Sequence, residues 1–266
     1  MARKTWNGSS GDFSASGNWL PTGAPTSGDD LIFDGTSVNS VTSNLDQTSA
    51  GDFGSLVIDD DYTGSFGSGL NYLQVGVAAS GLISLAGSGT IRLDLGSSDV
   101  DVQVLDGSVY VKGSAIADLI AMGGEVFIAG KTGDSASVTK IKAMGSTIEV
   151  SDQVTNSPAV EIYEGKLTTK NTLGSLQTYG GTIETTLDAV VSGAMTIEGG
   201  MFIPNGSGSY GAMTLFSGSV DGRKSGSDRT FSSVKINGGG IALNPSITIT
   251  SFQTPDDQVV ISVRKG

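Results

Sequence analysis

The stretch Leu119-Ile120-Ala121-Met122-Gly123-Gly124-Glu125-Val126-Phe127-Ile128 returns twenty-two residues later as Ile141-Lys142-Ala143-Met144-Gly145-Ser146-Thr147-Ile148-Glu149-Val150. Each copy reads apolar-x-apolar, then a small or Gly-rich corner, then apolar-x-apolar again. Alternation of period two over four to six residues marks a half-buried strand. The same sketch recurs at Leu176–Glu184, Met195–Ile203 and Val234–Leu243. The first apolar residue after each corner gives the series Val109, Val126, Ile148, Leu167, Ile183, Phe202, Val220 and Ile241. Its steps are 17, 22, 19, 16, 19, 18 and 21 residues, with a mean near 19. A unit of that size cannot bury a core alone, so neighbouring coils must stack.

Working outward, Thr90–Leu95 and Ser108–Lys112 carry the same alternation. No segment keeps helical spacing over three turns; residues 114–122 come closest and are short. The fold expected is all-β, a single-stranded right-handed parallel β-helix with coils of 16–22 residues. A left-handed β-helix requires a strict hexapeptide register, which the variable steps lack. A calcium-binding nonapeptide roll requires tandem G-G-x-G-x-D, which is absent. An antiparallel sandwich or propeller stays open as the rival, since two-residue glycine corners also close hairpins.

Composition fits the coil reading. Forty of 266 residues are glycine, and corners take glycine where φ is positive or coils approach closely. The chain has no cysteine and no histidine. That removes disulfides, thiolate metal sites, thiol nucleophiles and the commonest general base. No cofactor is expected. The net charge of −12 is lopsided, with nine aspartates and no Lys or Arg between Thr5 and Ile91. An acidic chain is a poor match for nucleic acid or anionic lipid. No apolar run approaches a membrane span.

The first 45 residues differ from the rest and are expected to form an arm and cap, followed by coils over 46–250 and a cap with a basic tail over 251–266. Trp6, Phe13, Trp19 and Phe33 are suited to cover the open end of a solenoid. The pattern Thr5-Trp6-x-Gly8, then Gly11 to Asn18-Trp19, then Pro25-x-x-Gly28-Asp29 and Phe33 resembles the start of β-helical passenger regions in bacterial autotransporter-type adhesins. It covers about 30 of the 266 residues. The amino terminus lacks an apolar signal stretch, and the chain is too short for a passenger plus a membrane barrel. In that respect it is similar to compact β-helical phage virion components such as head decoration proteins and fibre modules.

The function expected is non-enzymatic: attachment to a larger assembly, foremost a phage capsid, in a virion assembled in the host cytoplasm. The partner implied is a major capsid or other virion protein, with self-association as a further arrangement. The contact residues expected are the basic ends and one basic loop: Arg3, Lys4 and Trp6, then Arg223, Lys224 and Arg229, then Arg264 and Lys265. The alternatives are a surface or secreted adhesin fragment binding glycans or host protein, and a polysaccharide-active enzyme. For the enzyme, Asp99 and Asp101 share an outward strand face near Asp94 and Asp106, with Arg92 beside Asp94 and Tyr110 as the only nearby aromatic. Asp59-Asp60-Asp61 and Gly28-Asp29-Asp30 are the densest carboxylate groups, and they read as acidic turns, short of the six to eight oxygens that calcium takes.

Overall fold

A computed structural model describes residues 2–186, 188–223, 228–244, 246–254 and 262–263. Its contacts divide the chain into two compact units, Met1–Thr139 and Lys140–Gly266. Each is a parallel β-solenoid.

The amino-terminal unit begins stacking at its third residue. Strand β1 (Arg3–Trp6) takes β2 (Trp19–Leu20) antiparallel on one side and β3 (Asp30–Phe33) parallel on the other. The parallel ladder continues through β4 (Phe53–Ile58). Next in the chain come β5 (Leu73–Gln74), β6 (Val77–Leu85), β7 (Thr90–Asp94), β8 (Val100–Val104), β9 (Ser108–Ala121) and β10 (Glu125–Ile128). One column of coils runs β3, β4, β6, β8 and the second half of β9. Another runs β5, β7, the first half of β9 and β10. Residues 114–121, the nearest approach to a helical pattern, lie within β9.

The register makes the core. Leu31, Leu56, Ile83, Val102 and Leu119 sit one above another, all fully buried. Leu73, Leu93, Val111 and Ile128 form a second buried file. Each such side chain stabilises the coil by about 1.5–3 kcal/mol.

The carboxy-terminal unit takes β11 (Ala136–Val150) from Lys140 onward. It continues with β12 (Ala159–Thr169), β13 (Ser175–Thr178), β14 (Thr182–Thr185), β15 (Met195–Ile197), β16 (Met201–Pro204), β17 (Gly208–Leu215), β18 (Ser219–Gly222), β19 (Arg229–Ile236) and β20 (Gly240–Leu243). Ile148 pairs with Leu167, Leu167 with Ile183, Ile183 with Phe202, Phe202 with Val220, and Val220 with Ile241. In the amino-terminal unit Val109 pairs with Val126. Every step of the sequence repeat that falls inside one unit is therefore a register step of the solenoid.

The corners stack as well. A Cβ added at Gly200 would lie 2.4 Å from the carbonyl oxygen of Gly181, and Gly200 has φ +74°. Only a residue without a side chain fits there. The Gly200 carbonyl in turn accepts the Ser219 N–H at 2.9 Å, so each corner supports the next.

Within residues 1–45, expected as arm and cap, β1 and β3 are rungs of the ladder. Coil pairing also passes residue 250, with β22 (Phe252–Gln253) against Val234–Lys235, after β21 (Ile247–Ile249). The aromatic cluster near the amino terminus is present. Trp6 and Trp19 meet edge to face at 5.2 Å, and Phe33 packs on both at 5.6 and 5.5 Å. Gly8 lets the Trp6 ring lie against the backbone; a Cβ there would sit 2.2 Å from the ring. Asn18 is buried and gathers the loop around it. Its amide donates to the carbonyls of Ser10 and Asp12, and its oxygen accepts the Ser9 N–H.

Candidate functional site

The outward face of β7 and β9 brings Arg92, Asp94, Tyr110 and Lys112 together. Once Ile91 and Val109 point inward, Arg92 and Tyr110 must point outward, and Asp94 and Lys112 lie two residues along. Register places Arg92 beside Tyr110 and Tyr110 beside Phe127. Tyr110 and Phe127 stack at 4.5 Å with planes 13° apart, the separation set by the coil repeat. The Arg92 guanidinium lies 5.2 Å from the Tyr110 ring centre, and the Lys131 ammonium 4.5 Å from it. Tyr110 is thus not the lone aromatic that the sequence indicates.

The segment 129–134 folds back over this face as a strap. Asp134 at its end is buried and accepts the Tyr72 hydroxyl at 2.5 Å and the Lys131 N–H at 2.9 Å. Lys112 lies 3.5 Å from Asp134 and 3.5 Å from Asp94, and 4.5 Å over the Tyr72 ring. Burial and the Asp134 carboxylate push the Tyr72 hydroxyl pKa well above its ordinary value, so it stays a hydrogen-bond donor.

Two clefts share Gln74, and one of them is lined by Tyr72 and Lys112, which hold Asp134 of the strap. One, of about 200 Å³, is lined by Asp46, Asn71, Tyr72 and Lys112 among others. The other, of about 250 Å³, is lined by Thr48, Asp52, Asp94, Ser97 and Ser98 among others. Asp46 and Thr48 bond to each other, which holds the Asp46 carboxyl below its usual pKa. The lining is rich in hydroxyl, amide and carboxylate groups, the chemistry that meets a polyhydroxylated ligand.

Asp99 and Asp101 do face outward, opposite the buried Val100, Val102 and Val104. Asp101 is used locally, accepting the Asp118 N–H at 3.1 Å. Among the described residues no three acidic side chains are grouped to hold a metal ion, the Asp59–Asp61 turn included.

The contact residues expected from sequence are not brought together. Arg3 is exposed on β1. Lys4 is buried, and its ammonium donates to the carbonyls of Pro21 and Gly23 at 3.0 and 3.1 Å. Trp6 is wholly buried, with its indole N–H on the Asn39 carbonyl. Arg229 is also buried and donates to the Gly222 carbonyl at 3.1 Å. Lys4, Trp6 and Arg229 are thus taken up by packing within the chain. Arg223 is exposed and grips Asp221 through two bonds of 2.8 and 2.6 Å. Lys224, Arg264 and Lys265 lie outside the described residues.

A different exposed feature stands on one corner of the carboxy-terminal unit. The corner position after the inward strand holds Tyr163, Tyr179, Glu198 and Phe216 in successive coils, and Met144 lies at the preceding corner, where a register shift sets it opposite Glu164. Met144, Tyr163, Tyr179 and Phe216 are 46, 43, 40 and 50% exposed. Tyr163 and Tyr179 stack at 4.7 Å, 13° from parallel. Comparison of the chain with protein-family models, curated proteins and solved structures finds no match. Among the described residues no helix is long and apolar enough to cross a membrane.

Proposed function

We propose that the chain is a non-enzymatic structural protein that attaches to a larger assembly, foremost a phage capsid, as a decoration or head-fibre component. The observation that carries this reading is the exposed, stacked pair Tyr163 and Tyr179, with Met144 and Phe216 exposed at corners of other coils in the same unit. Large apolar side chains left in water along one corner mark a contact surface, and tyrosine is among the residues that anchor such contacts. Stacking of Tyr163 on Tyr179 holds that pair in place, so little ordering entropy opposes its docking. The capsid is chosen by analogy at the level of fold with compact β-helical virion components.

Gradient sedimentation of particles from a producing culture tests the reading. The protein is expected to travel with intact particles, and a Tyr163→Ala/Tyr179→Ala double variant to stay at the top of the gradient while keeping its melting temperature. Wild-type protein found only at the top of the gradient overturns it.

A further inference from the structure

The amino-terminal unit holds sixteen acidic and five basic side chains. Arg3 and Lys4 lie on β1; the other three cations, Arg92, Lys112 and Lys131, converge on the strap. Lys112 is balanced there by Asp94 and Asp134. Among the described residues Arg92 and Lys131 make no ion pair, although carboxylates abound in this unit. Both lie close to one ring, that of Tyr110, and so at most about 10 Å apart. The Arg92 Nε is buried without a hydrogen-bond partner. An unused buried donor on a charged group is costly, and two unpaired like charges so close repel. A single anionic group bound between them relieves both.

We propose that Arg92 and Lys131 form the acid-binding subsite of a glycan site, in which the adjoining clefts take the neutral sugar residues beside a carboxylate-bearing one. The clefts decide the class of ligand. Asp46, Asp94 and Gln74 accept from sugar hydroxyls, and Asn71 and Lys112 donate to them. An acidic peptide brings a carboxylate at nearly every position and would meet Asp46, Asp52 and Asp94 with like charge. A mostly neutral glycan with one acid group meets no such opposition. The site sits on the outward face of the amino-terminal unit and does not rest on the attachment reading, since it is measured on the isolated protein.

Titration calorimetry on the full chain separates the cases. The probes are 3′-sialyllactose, which has one carboxylate; lactose, which has none; and poly-glutamate. Sialyllactose is expected to bind at least about ten-fold more tightly than lactose, a difference of about 1.4 kcal/mol. Arg92→Gln and Lys131→Gln are each expected to remove that preference. Lys131 lies in the strap, outside the ladder, so its variant keeps the melting temperature and reads the subsite even if Arg92→Gln misfolds. Gln74→Ala is expected to weaken both sugars alike. Equal affinity for the two sugars overturns the proposal. So does no binding of either up to about 10 mM, or tighter binding of poly-glutamate.

Discussion

At a single corner residue the fold turns on the absence of one methyl group. Gly200 combines φ +74° with a carbonyl oxygen 2.4 Å from where its Cβ would be. Gly200→Ala must therefore adopt a left-handed backbone and also push the Gly181 corner away. The first effect costs about 1–2 kcal/mol and the second about 1–3 kcal/mol. Gly69 has φ +57° with nothing within 4 Å of its Cβ position, so Gly69→Ala suffers only the first. Denaturant melts of the two variants are expected to differ by about 2 kcal/mol. Equal losses would mean that corner stacking contributes nothing. Such glycines were legible in the sequence, because the apolar marker after each corner recurs in a countable series. The fate of Lys4 and Arg229 was not. Their burial depends on carbonyls of Pro21, Gly23 and Gly222, which only the folded corners bring within reach.

At the scale of elements, two devices hold the outer surface of the amino-terminal unit to its ladder. One is Asp29, which closes the turn before β3. Burial raises its pKa, but the Ala2 and Thr26 N–H groups, the Thr26 hydroxyl and the Lys4 charge together hold it below the ordinary value of 3.8. A carboxylate with a depressed folded pKa contributes stability above its unfolded pKa and loses it as pH falls through the folded one. Thermal melts from pH 6 to pH 2.5 are expected to fall more steeply below pH 4 for the wild type than for Asp29→Asn. Parallel curves would rule out this linkage. The other device is the strap. Tyr72→Phe removes the hydroxyl that Asp134 accepts and leaves a buried carboxylate short of one donor. A loss of about 1–3 kcal/mol is expected, with faster amide exchange confined to residues 129–134. The sequence placed Arg92, Asp94 and Tyr110 near one another but not Tyr72, Lys131 or Asp134. Arg92, Tyr110 and Phe127 share one repeat position, the residue after Ile91, Val109 and Val126, so aligning outward positions finds that file. The strap has no such signal, because 129–134 leaves the repeat after the Ala129 N–H meets the Val111 carbonyl and is tied back by the Tyr72 and Lys112 contacts of Asp134.

Across the whole chain, charge is divided as unevenly as the repeat is regular. The amino-terminal unit has net charge −11 and the carboxy-terminal unit −1. Ion pairs such as Lys140–Glu161 and Lys170–Glu149 are partly exposed and belong to the second unit; each contributes at most about 1 kcal/mol. The dominant electrostatic effect is therefore self-repulsion of the first unit, including the exposed Asp59-Asp60-Asp61 turn. Salt screens repulsion between surface charges, with the Debye length shrinking from about 30 Å at 0.01 M to about 8 Å at 0.15 M. Raising NaCl across that range is expected to raise the melting temperature by a few degrees, since each 1 kcal/mol corresponds to about 2–4 °C in a chain of this size. Screening depends on ionic strength alone, whereas a bound ion acts at the concentration of its own site. CaCl₂ at matched ionic strength is therefore expected to give the same shift as NaCl. A rise already complete at micromolar calcium would show that the acidic turn is a metal site and that self-repulsion is not what salt relieves.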